Sequence, residues 1–311
     1  MSALADRLAA RFGPRARAGV PLAPYTTFKV GGPADWLVEA DSAADIADAA
    51  AMAREAGVPL TVLGGGSNVL VGDRGVRGIV VRPRGGQAEA IGTHLVRADA
   101  GLTLNGLVRW TITRGYGGLE AWAGTPGTVG GAIYGNAHWS RVNIGELVDS
   151  VDLLGPGGDR AQVDAADMAF GYDDSRLKRS GEVLLTATFR VTPGQDPAAL
   201  REVARQSLAF RKRTQPLASP SAGCIFMNPD PARDRVPDGI PPSAGALVDR
   251  AGLKGAVAGG ARVSPTHGNF IVNDGTATAA DIRALVGRCQ AEVRERFGVD
   301  LREEIVYLGE F

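Results

Sequence analysis

The stretch Ala121-Trp-Ala-Gly-Thr-Pro-Gly-Thr-Val-Gly-Gly-Ala-Ile-Tyr-Gly-Asn136 gathers tight turns and backbone donors in one place. Gly124, Gly127, Gly130 and Gly131 carry no Cβ, so a large anionic ligand can lie directly against the main chain there. Pro126 presets one turn, and Thr125 and Thr128 add hydroxyls. Taken alone, the stretch reads equally well as an ordinary glycine-rich loop.

A second glycine cluster changes that balance. In Val58-Pro-Leu-Thr-Val-Leu-Gly-Gly-Gly-Ser-Asn-Val-Leu-Val71 the apolar run Leu60 to Leu63 is too short for a helix and stops at Gly64, Gly65 and Gly66. A chain that turns back there with its amides in one direction makes an anion-binding concavity, to which Ser67 and Asn68 add side-chain hydrogen bonds. Two such loops on one scaffold point to a dinucleotide. A Rossmann site is not expected, because Val69 stands where the third glycine of that fingerprint belongs and no helix opens after the loop. No Gly-Lys-Ser or Gly-Lys-Thr element occurs, which leaves a P-loop ATPase unsupported.

Bulk properties fit a globular enzyme. At 311 residues the chain suits two or three domains and can bury a substantial core. Lys plus Arg and Asp plus Glu both total 34, so charge gives no case for nucleic-acid binding. Cys224 and Cys289 are the two cysteines, too few for a disulfide framework and consistent with a reducing cytoplasm. Met1 to Arg11 carries charge throughout and reads as a short amphipathic helix, and no apolar run approaches the ~18 residues of a membrane span.

Helices and strands alternate without a repeat, as in α+β or α/β folds. Helical spacing covers Ala43 to Ala56, Thr103 to Arg114 and Ala279 to Phe297, while Ile79 to Arg82, Leu95 to Asp99, Val183 to Val191 and Glu303 to Leu308 read as strands. Thr192-Pro-Gly-Gln-Asp-Pro197 is the best linker, with Asp196 able to cap the helix after it, and a domain boundary is expected near residue 195. The proline-rich stretch Asn228 to Pro242 reads as an exposed loop.

Further segments carry a family resemblance: Tyr25-Thr-Thr-Phe-Lys-Val-Gly-Gly32, Phe170-Gly-Tyr-Asp-Asp-Ser175, Ser221-Ala-Gly-Cys-Ile-Phe-Met-Asn-Pro229, Ala251-Gly-Leu-Lys-Gly255, His267-Gly-Asn-Phe-Ile-Val-Asn273 and Leu301-Arg-Glu-Glu-Ile305. With the two glycine clusters, taken in order and nearly end to end, they make the chain resemble the UDP-N-acetylenolpyruvoylglucosamine reductases of peptidoglycan synthesis. The resemblance implies an α+β protein: an FAD-binding domain of the vanillyl-alcohol-oxidase type over residues 1–195, in two lobes of about 1–85 and 86–195, and a smaller substrate-binding domain over 196–311 whose last strand packs back on the first. No long insertion carrying a tyrosine follows Ala132, so the shorter form of the enzyme is the nearer match.

What the family implies is NADPH-dependent, FAD-mediated reduction of UDP-N-acetylglucosamine enolpyruvate, with FAD held non-covalently by Gly64, Gly65, Gly66, Ser67, Asn68, Thr125, Pro126, Gly127, Gly130 and Gly131. Reducing such an enol ether needs hydride at the carbon remote from the carboxylate and a proton at its neighbour, where negative charge gathers. Cys224 stands where most of the family carry a serine proton donor; a free thiol titrating near pH ~8.5 is a reasonable acid. Cys289, on a helix, reads as a buried structural thiol. Glu304 matches the family's glutamate, expected to polarise the enolpyruvyl group, and strand parity decides whether it or Glu303 points inward.

The chain departs from the family twice. Asp173 follows Tyr172 where an arginine is usual, and an acid cannot stabilise an enolate, so Arg176, with Lys178 second, is expected to take that part. Met227 replaces a lysine at the diphosphate end, leaving Asn228, with Arg211, Lys212 and Arg213 as further cations; surface cations at a helix end are the bland reading of these. Lys254 and Asn269 are candidates for the nucleotide or cofactor. His94, His138 and His267 have no zinc-like spacing, so no metal is expected. The partner is then a small UDP-sugar enolpyruvyl ether, with neither nucleic acid nor membrane, met by a cytoplasmic monomer. An FAD oxidase or dehydrogenase of another sugar or alcohol, or a non-catalytic flavoprotein binding a nucleotide sugar, are the alternatives.

Overall fold

The computed structural model describes residues 2–139 and 142–311; Met1, the first residue of the expected N-terminal helix, lies outside the described residues. The chain divides into two compact units, one made of the chain up to Gly19, Asp35–Gly65 and Arg77–Phe210, the other of Val20–Ala34, Gly66–Val76 and Arg211–Phe311.

The first unit carries helices α1 (Ser2–Phe12), α2 (Ala43–Ala56), α3 (Leu104–Thr113), α4 (Val129–Tyr134) and α5 (Leu177–Ser180), and most of α6 (Pro197–Thr214). Its four-stranded sheet runs Ala16–Pro21, Pro33–Ala40, Val76–Pro83, Leu60–Val62, with the last two parallel. Helix α2 starts where Ser42 accepts the Asp45 amide at 3.1 Å and ends at Gly57, whose φ of +64° reverses the chain. Its Ile46, Ala49 and Ala53 are spaced on one helical face and join Val38, Ile79 and Val81 in an apolar cluster. Asp45, buried in the first turn, is neutralised by Arg11 at 2.7 Å and by Arg15.

The second lobe of this unit is a five-stranded antiparallel sheet in the order Arg160–Asp164, Val148–Leu154, Val183–Arg190, Leu95–Asp99, Ala88–Ile91. The apolar stripe of α3 (Leu104, Leu107, Val108, Ile112) and Val129 and Ile133 of α4 bury Val96, Ala98, Val151, Ala187 and Phe189 of that sheet. Asp196 caps α6, its carboxylate accepting the Ala198 amide at 2.9 Å, as the linker reading expected.

The second unit holds α7 (Ala244–Arg250), α8 (Ala279–Phe297), a three-stranded sheet of Val257–Ala258, Ala261–Val263 and Ile271–Asn273, and a parallel pair of Val69–Val71 with Val306–Leu308. Ile282, Leu285, Val286, Cys289 and Val293 of α8 lie in one core with Phe28, Val30, Leu70, Val248 and Ile271. That shared core explains two departures from the linear reading. The units part between Phe210 and Arg211, not at the 192–197 linker, and the second unit draws in 20–34 and 66–76, because Phe28, Val30 and Leu70 bury their side chains among residues more than ~150 positions away in sequence. The final strand also starts later than read, at Val306, while Glu303 makes an isolated antiparallel bridge with Phe226. Asn228 to Pro242 contains neither helix nor strand. The loop after Leu60–Val62 enters the strand Val69–Val71 and not a helix, in keeping with the absence of a Rossmann turn.

Leu70 is fully buried in the second unit's core, so Leu70→Ala should lower the free energy of unfolding by about 2–5 kcal/mol. Urea titration checks this, and a loss below ~1 kcal/mol would show that 66–76 does not belong to that core.

Candidate active site

In the first unit the two glycine clusters meet main chain on main chain. A Cβ at Gly65 would lie 2.5 Å from the Gly127 Cα, and one at Gly64 would lie 2.7 Å from the Thr128 hydroxyl oxygen, so neither position has room for any side chain. The segment after Thr128 is helical because that hydroxyl accepts the Gly131 amide at 3.3 Å. Several amides of this stretch are engaged by the protein itself: Gly124 with the Asn105 side chain at 2.7 Å, Thr125 with Trp122 at 2.9 Å, and Gly130 with Ala100 at 2.9 Å. The glycine triplet differs. Gly66 is buried, yet the amides of Gly64, Gly65 and Gly66 reach no protein acceptor among the described residues. Main-chain donors without partners are uncommon away from the surface, and within the first unit the half-buried Gly64 and Gly65 supply two, the kind of donor a phosphate takes. The residues present in the first unit therefore fit the pyrophosphate of a flavin dinucleotide, with Gly64 and Gly65 as the donors and Gly127 clearing space. Asn68 is tied inside the second unit, its side-chain amide donating to the Glu304 carbonyl at 3.1 Å.

The second unit builds a titratable cluster around Cys224. The segment carrying it bends at Ile225 and is held from two sides. On one side the Glu304 amide donates to the Ile225 carbonyl at 2.8 Å and the Met227 amide to the Arg302 carbonyl at 2.8 Å. On the other, the Asn269 carbonyl accepts the Ile225 amide at 2.9 Å, and the Asn269 carboxamide pairs with both main-chain groups of Phe226: Oδ1 accepts from the amide at 2.9 Å and Nδ2 donates to the carbonyl at 2.7 Å. Burial pushes the half-buried Cys224 thiol well above the usual range, and the Glu304 carboxylate pushes the same way. A side-chain hydrogen bond with Asn269 and the charge of Arg211 oppose them. Arg211 is itself buried, and that burial pulls its guanidinium down to about 10.

The two glutamates differ in what their charges bear on. Glu303 accepts from Gln290 at 3.1 Å and acts on Tyr307, whereas the Glu304 carboxylate acts on Cys224. Of the other expected residues, Asn228 accepts the Ala244 amide at 3.1 Å where α7 begins, and Lys254 pairs with Asp249 at 2.7 Å after α7 ends. Arg213 is exposed on the last turn of α6.

Arg176 lies in the first unit with its guanidinium in a two-point pair with Glu182, both contacts at 2.7 Å. Asp173, at the position where the resemblance leads one to look for arginine, is buried with φ of +51° and takes Lys178 Nζ at 3.0 Å. Burial raises its carboxyl, and Lys178 offsets part of that rise. The sequence reading overlooked Asn269 as a neighbour of Cys224; its only signal was the spacing within His267-Gly-Asn-Phe-Ile-Val-Asn273. Among the described residues no group of His, Cys, Asp and Glu suited to hold a metal ion occurs, and no helix is long and apolar enough to cross a membrane.

Comparison with known proteins bears on both units. A family model described as UDP-N-acetylenolpyruvoylglucosamine reductase, C-terminal domain, matches residues 215–308, and one described as FAD binding domain matches 34–164. The chain is similar to a UDP-N-acetylenolpyruvoylglucosamine reductase of Moorella thermoacetica, 39% identical over 310 residues that cover 100% of this chain and 99% of the other. A protein of the same name from Gloeobacter violaceus is 37% identical over 292 residues, 94% of this chain and 95% of that one. The crystal structure of UDP-N-acetylenolpyruvylglucosamine reductase from Thermus caldophilus superposes with a TM-score of 0.78 at 33% identity, covering 93% of this chain and 97% of that one.

Because a neighbouring carboxylate disfavours the thiolate, Glu304→Gln should move the onset of Cys224 alkylation by iodoacetamide to lower pH, with the wild-type thiol resisting reagent through neutral pH. Peptide-resolved mass spectrometry separates Cys224 from Cys289; identical pH profiles would mean that Glu304 does not act on the thiol.

Proposed function

The chain belongs to the UDP-N-acetylenolpyruvoylglucosamine reductase family, and on that premise we propose how its residues reduce the enolpyruvyl ether of UDP-N-acetylglucosamine to UDP-N-acetylmuramate for peptidoglycan precursors. It is an FAD-dependent oxidoreductase whose α+β fold contains an FAD-binding domain of the vanillyl-alcohol-oxidase type. Bound FAD supplies the hydride chemistry, with NADPH as the source. The protein supplies binding, orientation and one proton.

The observation that carries the reading is that Glu304 is bonded beside Cys224 inside one unit, across 80 positions of sequence: its amide donates to the Ile225 carbonyl at 2.8 Å, and its carboxylate pushes the Cys224 thiol up. In this reading the Cys224 Sγ–H bond breaks as a C–H bond forms at the substrate carbon beside the carboxylate. The sulfur is left as thiolate and is reprotonated from water. A thiol held in its neutral form by burial and by Glu304 keeps its proton until a strongly basic carbon arrives, which suits a general acid. Glu304 orients the enolpyruvyl group and keeps the thiol protonated. For the opposite charge at the enolate, Arg176 remains the first candidate and Lys178 the second; each is now engaged by a carboxylate, Glu182 and Asp173 respectively, so either would have to share that partner with substrate. Arg213 and Asn228 form the polar set for the diphosphate, and Lys254 serves the uridine nucleotide or the cofactor. Gly64, Gly65, Gly66, Ser67, Asn68, Thr125, Pro126, Gly127, Gly130 and Gly131 hold FAD without a covalent bond, and residues 1–195 and 196–311 serve as cofactor and substrate domains. A cytoplasmic monomer acting on a small molecule completes the reading.

Stopped-flow absorbance separates the two half-reactions. Cys224→Ala should leave flavin reduction by NADPH near wild type and slow reoxidation by the enolpyruvyl nucleotide by about 10²- to 10⁴-fold, while Cys224→Ser retains much of the rate. Equal slowing of both halves would remove Cys224 from the protonation step. In the same assay, Arg176→Ala and Lys178→Ala identify the cation: the one that serves the enolate lowers the reoxidation rate, and intact turnover in Arg176→Ala rules Arg176 out.

A further inference from the structure

We propose that Asn269 is the positioning residue of Cys224: its carboxamide takes the place of a neighbouring strand for Phe226 and presents its remaining N–H to the thiol sulfur. The inference rests on the reading of Cys224 as proton donor. A primary amide has one carbonyl acceptor and two N–H donors. Asn269 uses Oδ1 on the Phe226 amide at 2.9 Å and one Nδ2 hydrogen on the Phe226 carbonyl at 2.7 Å, which fixes the plane of the carboxamide. The second Nδ2 hydrogen is left over by that clamp, which sits two residues along the segment from Cys224 and also holds the Ile225 amide on the Asn269 carbonyl at 2.9 Å, and the Asn269 side chain pulls the Cys224 thiol down. Asn269 is 3% exposed, so water does not compete for these bonds.

The clamp is itself held. The Asn269 amide donates to His267 Nδ1 at 3.2 Å, which requires that nitrogen to carry a lone pair. Burial, with Lys254 nearby, lowers the affinity of His267 for a second proton, so the acceptor persists. His267 in turn packs its ring against Phe270 at 4.9 Å between centroids.

The chemical consequence follows from the charge change. Before transfer the sulfur is neutral and the Asn269 contact is a weak one. After transfer the sulfur carries the negative charge, and the same N–H becomes a donor to an anion, a stronger bond. Arg211 adds its positive charge on the same side of the balance, and Glu304 opposes both. Asn269 thus favours the state after proton delivery over the state before it, which is the condition for lowering a barrier.

Asn269→Ala and Asn269→Asp in the holoenzyme test this, read in both half-reactions and by peptide-resolved alkylation of Cys224 across pH. We expect flavin reduction by NADPH to stay within about 2-fold of wild type, reoxidation by the enolpyruvyl nucleotide to slow by about 10- to 100-fold, the range for losing a hydrogen bond to a charged group, and alkylation to begin at higher pH than in wild type. Adding Asn269→Ala to Cys224→Ala should slow reoxidation no further, because Asn269 acts through the thiol. If Asn269→Ala does not retain FAD, Asn269→Asp is read alone, since it keeps the acceptor for the Phe226 amide. An unchanged alkylation profile, or slowing that multiplies with that of Cys224→Ala, overturns the proposal. Should Cys224→Ala leave reoxidation intact while Asn269→Asp still shifts alkylation, the proton-donor reading falls and the positioning of the sulfur stands.

Discussion

The peptide at Phe226 is the constraint on which the reactive cluster depends. A segment with Glu304 and Arg302 on one side and Asn269 on the other has no freedom to slide, because a shift by one residue would break the hydrogen bonds to all three. Phe226 is 1% exposed, which locks the same segment from below. The second unit's core therefore sets the cluster: Phe226, which anchors the segment, and Cys224, proposed as proton donor, are two residues apart on it.

That arrangement places opposed influences on one sulfur. Burial and Glu304 favour the protonated thiol, while Asn269 and Arg211 favour the thiolate. Cys289 is a core cysteine, raised to about 11 by burial against the charge of Arg288, with no carboxylate and no side-chain donor among the influences on it. A thiol drawn only downward would have lost its proton before substrate arrived. The balance of donors and carboxylate around Cys224 separates the two free cysteines of the chain in a way that their sequence contexts, taken without the family motif, do not.

What could be read from the linear chain divides along the range of the physical cause. Ser42, Gly57 and Asp196 act on amides within a few positions, and the helix edges they define were legible at once. Gly65 was legible as a glycine requirement but not as a contact with Gly127, since that closeness depends on two loops meeting through tertiary packing. The boundary near residue 195 rested on a local signal, two prolines and a glycine. The division into compact units depends on Phe28, Val30 and Leu70 finding their core among distant residues, and no local pattern encodes that. Asn269 belongs to the same class: its carboxamide matters because Phe226 lies beside it, 43 positions back.

The acid at position 173 can be argued further. An aspartate in the left-handed region at φ +51° is easier to accommodate than an arginine there, since a short polar side chain tolerates that backbone. The cost is a buried carboxylate, and Lys178 reduces it at 3.0 Å while also lying over the Tyr134 ring at 5.7 Å. Replacing a free guanidinium with an ion pair keeps a cation at that turn but removes its net charge. Arg176 is in the same position with respect to Glu182, and its two-point contact is the tighter hold. Lys178 is held by one contact to a carboxyl that burial already inclines to take up a proton. In the proposed reading, a carboxylate ligand would compete for Lys178 against a weak holder and for Arg176 against a strong one, so electrostatics favours the lysine as the cation more readily lent, while guanidinium geometry favours the arginine.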